Sequence, residues 1–220
     1  MDLSLYSGET LGLIGPNGSG KTTLINVVSG LLYADGGSLL FYGSRIDRMS
    51  PHRRSHLGIN RTFQIPHPFY GLTVRENVDI ALLFGRMKKR TDLEQKSEDI
   101  LKLTGLSELS EHRAGSLNTS QKKMLDLAKA LATEPRILLI DELAAGLNSN
   151  ETEVVAGLLR EVKKNVDAML VVEHVMNFIK KVTEDVVVFD AGKVIFSGRF
   201  ADAVRDGRVR EVYLGTVRSS

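Results

Sequence analysis

Residues 10 to 23 read Thr10-Leu-Gly-Leu-Ile-Gly15-Pro-Asn-Gly18-Ser-Gly20-Lys21-Thr22-Thr23, and this stretch decides the fold. Leu11 to Ile14 is an apolar run of strand length, broken at Gly15. From Lys21 a helical spacing takes over, with Leu24, Val27, Val28 and Leu31 on one face. Gly15 to Thr22 satisfies the pattern G-x-x-x-x-G-K-[ST]. Such a loop turns successive N–H groups inward, and the helix that follows directs its unpaired N–H groups and its dipole at the same point. Strand, loop and helix in this order predict an anion cradle made of Gly15, Pro16, Asn17, Gly18, Ser19, Gly20, Lys21, Thr22 and Thr23. Lys21 is expected to reach β- and γ-phosphates, and the Thr22 hydroxyl to meet Mg²⁺.

The chain has 220 residues, enough for one sizeable core with a small subdomain. Its net charge is only +2 with basic and acidic residues interleaved, which argues against a nucleic-acid partner held by bulk charge. Cysteine is absent, so disulfides and thiolate metal sites are excluded. No apolar run approaches the roughly 18 residues of a membrane span. Any membrane role is therefore expected to be exercised from the surface.

Working outward, Ser38 to Tyr42 reads as a strand closed by Gly43, and Gly58 to Gln64 as another, with Pro66 and Pro68 just beyond it. Residues 73 to 104 read as helical, with Thr73 and Glu76 in capping-box positions and a second piece from Asp92 to Leu103. A helix is expected from Gln121 to Thr133, striped by Met124, Leu127, Ala128 and Leu131, with Ser120 as its cap. Ile137 to Ile140 and Ala168 to Val172 are further buried strands, separated by a helix from Asn150 to Lys164. After a short helix come Asp185 to Phe189, a turn through Asp190 to Lys193, and Val194 to Phe196. Near-continuous apolar strands alternating with helices indicate an α/β fold with a parallel sheet covered by helices.

Asp141-Glu142 closes an apolar strand. An Asp there can hold Mg²⁺ beside the Thr22 hydroxyl, and the adjacent Glu142 can polarise a water for in-line attack on a γ-phosphate. Phosphoryl transfer needs mostly positioning and charge neutralisation, so a loop, a lysine, a metal and one base suffice.

With these motifs in order, nearly the whole chain resembles the nucleotide-binding subunits of ATP-binding cassette (ABC) transporters. The resemblance implies a P-loop NTPase (RecA-like) core with a helical insertion at about residues 66–120 and a reduced antiparallel β subdomain, all in one ABC ATPase domain spanning residues 1–220. Gln64 matches the Q-loop glutamine, implied to touch Mg²⁺ and the attacking water. Ala145-Gly146-Leu147-Asn148 matches the D-loop. His174 matches the H-loop histidine that contacts the γ-phosphate. Arg61-Thr-Phe-Gln64, Leu72-Thr-Val-Arg-Glu-Asn77, Ala144-Ala-Gly-Leu-Asn148 and Glu211-Val-Tyr-Leu-Gly215 look like the branched-chain amino acid (Liv-type) importers.

The family's signature loop, Leu-Ser-Gly-Gly-Gln, is replaced by Leu117-Asn118-Thr119-Ser120-Gln121. In the family this loop binds the γ-phosphate of ATP held by the opposite subunit, so Asn118, Thr119, Ser120 and Gln121 are carried as contact candidates. Thr119 and Ser120 add side chains where backbone must approach phosphate closely. Leu143 follows Glu142 where the family has Pro, with little catalytic effect expected. The family's further β segment, with an aromatic that stacks on adenine, would precede Met1. Tyr6 lies too close to the phosphate loop to replace that aromatic. Its loss is worth about 1–3 kcal/mol of base stacking, and implies either a start downstream of the true one or weak ATP binding.

The resemblance thus implies an ATPase that uses ATP and Mg²⁺ and pairs with a second ABC ATPase subunit as homodimer or heterodimer. It implies docking to transmembrane permease subunits at the cytoplasmic face of the membrane, through the loop from Gln64 to Gly71 and the helical insertion. The other reading is a degenerate partner that completes another subunit's ATP site without efficient hydrolysis.

Overall fold

The structure is a computed structural model that describes residues 2–86 and 92–214. Residues 87 to 91 of the expected helical stretch, and Gly215 of the C-terminal motif, lie outside the described residues. The elements run β1 (Thr10–Ile14), α1 (Lys21–Ser29), β2 (Leu40–Phe41), β3 (Ser44–Arg45), α2 (Pro51–Leu57), β4 (Ile59–Arg61), α3 (Val74–Phe84), α4 (Leu93–Leu103), α5 (Thr119–Ala132) and β5 (Ile137–Asp141). They continue with α6 (Ser149–Val162), β6 (Ala168–Val172), α7 (Met176–Val182), β7 (Asp185–Asp190), β8 (Lys193–Arg199), α8 (Phe200–Ala203) and α9 (Gly207–Leu214). The chain divides into two compact units, one made of the residues up to Val28 and those from Leu139 onward, the other of Ser29–Leu138.

In the first unit the strands lie in the order β5-β6-β1-β7-β8. β1 is central and parallel to both neighbours, with Leu11 opposite Leu170 on one side and Asp185 on the other. Every residue of β1 and β6 is buried, which is what a parallel strand covered on both faces requires. Leu13, Val171, Val172 and Val188 are fully enclosed, and each contributes about 1.5–3 kcal/mol on the usual scale of apolar burial. β8 returns antiparallel to β7 and runs from Lys193 to Arg199, longer than its apolar core Val194–Phe196 suggests. Ala191 and Gly192 make the tight turn between them, both at positive φ, as a two-residue hairpin demands.

The second unit holds the helices α2 to α5 and the three short strands β2, β3 and β4. α3 packs against both α4 and α5, burying Val74, Val78, Leu82, Leu101 and Leu125. The Thr73–Glu76 capping box forms as expected: the Thr73 hydroxyl accepts the Glu76 N–H, and the Glu76 carboxylate accepts the Thr73 N–H. The buried Asn77 amide then pins the preceding loop, donating to the Phe69 and Thr73 carbonyls and accepting the Phe69 N–H.

Three local expectations are corrected in this unit. The strand expected at Ser38–Tyr42 shrinks to Leu40–Phe41, because Tyr42 and Gly43 both take positive φ and form the turn to β3. The strand expected through Gln64 ends at Arg61, because the Phe63 N–H is taken by the Asp126 carboxylate instead of a neighbouring strand. The cap of α5 is Asn118 and not Ser120: the Asn118 carbonyl oxygen accepts the Gln121 N–H, and Gln121 accepts the Asn118 N–H in return. α2 was not anticipated. Its sequence signal is Pro51 at the first helical position, with left-handed Gly58 closing the other end.

Candidate active site

The first unit gathers its polar side chains where β1, β5 and β6 end. Gly15 leaves β1 with φ 153, and a Cβ there would sit 2.3 Å from the Phe189 carbonyl oxygen, so only glycine fits. The loop is braced from the β7–β8 turn, where the Gly192 N–H donates to the Ser19 carbonyl at 2.9 Å. Lys21 opens α1 and folds back over the loop, its Nζ donating to the carbonyls of Gly15 at 2.8 Å and Pro16 at 2.9 Å. Burial holds the Lys21 ammonium below its ordinary pKa, while the nearby Glu142 and Asp141 carboxylates pull the other way. The phosphate loop, Lys21, Asp141 and Glu142 are therefore one electrostatic neighbourhood. Asn17, Gly18, Thr22 and Thr23 lie exposed around it, whereas the Ser19 hydroxyl is buried without a hydrogen-bond partner.

Asp141 is buried at the end of β5, and the chain then kinks. Glu142 sits at φ 49, a left-handed conformation that costs a non-glycine residue of order 1–3 kcal/mol. Two contacts hold it there. Its own N–H donates to the Val172 carbonyl of β6 at 2.9 Å. Two residues on, the Ala144 N–H donates to the Glu173 carboxylate at 2.6 Å. The kink leaves the Glu142 side chain 17% exposed and brings its carboxylate to 3.8 Å from His174 Nδ1. His174 follows Glu173 directly and is about half exposed, in reach of anything bound beside Glu142.

Glu173 was missed as a site-supporting residue. It is fully buried, and the only sequence signal is a charge closing an otherwise apolar strand, the same signal that marked Asp141. Tyr213 of α9 lies within the Glu211 to Gly215 stretch. Burial pushes its hydroxyl up to about 12, against an opposing pull from the Gly15 backbone N–H, so α9 reaches the base of the phosphate loop.

The oxygen set of the Thr22 hydroxyl and the Asp141 carboxylate suits Mg²⁺, which favours one or two carboxylates completed by water and phosphate over an all-protein cage. No cluster of three or more acidic, His or Cys ligands occurs among the described residues. The buried Ser19 hydroxyl adds an unpartnered polar atom to the same loop.

Of the remaining candidates, Gln64 and Asn118 to Gln121 belong to the second unit. Gln64 is exposed, three residues past the end of β4. In Asn118 to Gln121 the Asn118 and Gln121 side chains are engaged in the cap of α5, and Thr119 is exposed. The D-loop candidate Asn148, in the first unit, caps α6 in the same way, with Glu151 as its partner. The second unit also carries a groove of about 500 Å³, lined by Phe63, His67, Phe69, Ile80 and Phe84 among others. Exposed apolar side chains continue along this surface at Ile65 and Tyr70. No described helix is long and apolar enough to cross a membrane.

Comparison with known proteins places these observations. The family described as ABC transporter matches residues 1–145. The probable branched-chain amino acid transport ATP-binding protein LivG of Archaeoglobus fulgidus is 37% identical over 98% of this chain and 88% of its own length. The high-affinity branched-chain amino acid transport ATP-binding protein LivG of Escherichia coli K12 is 30% identical over 98% of this chain and 90% of its own. Among solved structures, the ADP conformation of MJ1267, an ATP-binding cassette of an ABC transporter, superposes with a TM-score of 0.85 at 32% identity, covering 97% of this chain and 90% of that one.

Proposed function

The chain belongs to the ABC transporter family as an ATP-binding ATPase subunit, and from that premise we propose that it energises a membrane importer of branched-chain or related amino acids. The solute class rests on the Liv-type relatives and on the stretches that resemble them.

Each residue has a role in the proposed mechanism. The N–H groups of Gly15 to Thr22 and the dipole of α1 bind the β- and γ-phosphates. Lys21 exchanges its two loop carbonyls for phosphate oxygens, which favour the charged form of a partly desolvated ammonium. Glu142 accepts a hydrogen bond from water and aligns it with the γ-phosphorus as general base. His174 donates to a γ-phosphate oxygen from the same side. Thr22 and Asp141 would hold Mg²⁺, which would neutralise phosphate charge when bound; Gln64 is proposed for the same role from the family resemblance alone.

Two further parts of the reading follow the family. Asn118 to Gln121 would meet the ATP of a second ABC ATPase subunit, the same chain or another, in a head-to-tail dimer. The groove of the second unit would receive a permease segment at the cytoplasmic face of the membrane; its exposed Phe63, Phe69 and Phe84 support a docking surface over a satellite core.

The observation that carries the ATPase reading is the left-handed Glu142, strained yet held in place, with its carboxylate facing His174. A degenerate partner subunit would have no use for that strain. The test is MgATP turnover by the purified chain against Glu142→Gln, which keeps shape and loses the base. Turnover is expected to fall by about 10²–10⁴-fold. A Gln variant within threefold of the parent would sink the assignment.

A further inference from the structure

Helix α5 carries two ionisable side chains one turn apart, Asp126 and Lys129, that face the segment following β4. Asp126 is 7% exposed in the middle of the helix, where an aliphatic residue would ordinarily sit. Its carboxylate accepts the Phe63 N–H at 2.6 Å. Lys129 donates to the His67 carbonyl at 3.2 Å, and its ammonium lies 5.3 Å from the Phe69 ring centroid. Arg61 closes the near side, its guanidinium 4.7 Å from the Phe63 ring. The two backbone contacts grip the chain on either side of Gln64, Ile65 and Pro66, of which Gln64 and Ile65 are exposed.

A buried carboxylate is a costly way to satisfy one amide. Burial pushes the Asp126 carboxyl up to about 6, against the pull of the Phe63 N–H and of Lys129, Arg61 and His67. Burial likewise holds Lys129 below its ordinary pKa, with Asp126 opposing. Water would serve the Phe63 amide if the segment stood free, so the carboxylate fixes where the segment lies.

We propose that Asp126 and Lys129 are positioning residues for ATP hydrolysis, clamping Phe63 and His67 so that Gln64 is held in one place on the helix whose first turn is Asn118 to Gln121. The inference rests on the reading that Gln64 takes part in turnover. It adds that the signature helix itself sets the Gln64 loop, through contacts about two and three turns along from its cap.

The test is a double-mutant cycle on the full chain. Asp126→Leu is expected to lower kcat about tenfold with the KM for ATP changed less than twofold, since it removes a charge-assisted hydrogen bond remote from the phosphate loop. Asp126→Asn keeps an acceptor oxygen and should lose about threefold. In a Gln64→Ala background, Asp126→Leu should add less than twofold, because the loop it positions no longer acts. Hydrogen exchange of the Phe63 amide should accelerate in Asp126→Leu and in the milder Lys129→Met, which covers the case in which Leu at 126 fails to fold. An equal tenfold loss in both backgrounds, or unchanged Phe63 exchange, would overturn the clamp. A silent Gln64→Ala would instead remove Gln64 from the ATPase reading and the positioning role with it, whatever the exchange shows.

Discussion

The strand ends of the first unit and the middle of α5 in the second each set a buried acid near a lysine, yet they are built oppositely. At Lys21, Asp141 and Glu142 the charges sit at element ends, where backbone already departs from regular geometry and one face lies open. At Asp126 and Lys129 the charges sit inside a helix, and the partner is the chain's own backbone. At the strand ends Lys21 rests on the carbonyls of its own loop and the Glu142 carboxylate stays partly open, contacts that a ligand can exchange; in α5 the carboxylate and the ammonium hold a second segment of the chain. The difference separates the residues proposed for chemistry from those proposed to hold others still.

The sharpest way to break this contrast is Lys21→Ala. If the ammonium is reserved for phosphate, the variant should bind ATP about 100-fold more weakly by calorimetry, while its melting temperature hardly moves. A large loss of stability with unchanged ATP affinity would make Lys21 a structural clamp like Lys129.

The next effect is on pH. With its carboxyl raised from 3.8 to about 6, folded Asp126 retains a proton that the unfolded chain releases. Its contribution is therefore fully present below about pH 4 and is lost as pH rises through 6; the gap corresponds to about 3 kcal/mol. Urea unfolding of the parent and of Asp126→Asn should accordingly diverge between pH 4 and 7, the variant gaining in relative stability by up to about 3 kcal/mol. Parallel curves would mean that Asp126 is no more buried in effect than a surface acid.

The site in the first unit was readable because its meaning is local. Gly15, Lys21 and Thr22 fall within one spacing, and Asp141 and Glu142 stand out where an apolar strand stops. Asp126 falls in the gap of an ordinary amphipathic stripe, and nothing near it in sequence distinguishes it from a solvated helix residue. Its partner Phe63 lies 63 positions away, and only folding brings them together. Glu173 is hidden for the same reason, its partner Ala144 being 29 positions off. The end of β4 was misread through that same long-range bond, and α2 through the brevity of its seven residues.

The smallest expected effect compares two helix starts. Leu117-Asn-Thr-Ser-Gln121 and Leu147-Asn-Ser-Asn-Glu151 build the same capping box on α5 and α6. Asn118→Ala and Asn148→Ala should each cost about 1 kcal/mol in urea unfolding. If Asn118 also meets nucleotide across a subunit boundary, it alone should change the ATP concentration at half-maximal turnover.

Glu142 carries one more consequence. A left-handed backbone at a non-glycine residue is a place where drift toward Gly or Asn would be welcomed by the fold. If Glu142 is the general base proposed above, Glu142→Gly would relax the backbone and raise the melting temperature while ending turnover, so the same residue trades fold stability for activity.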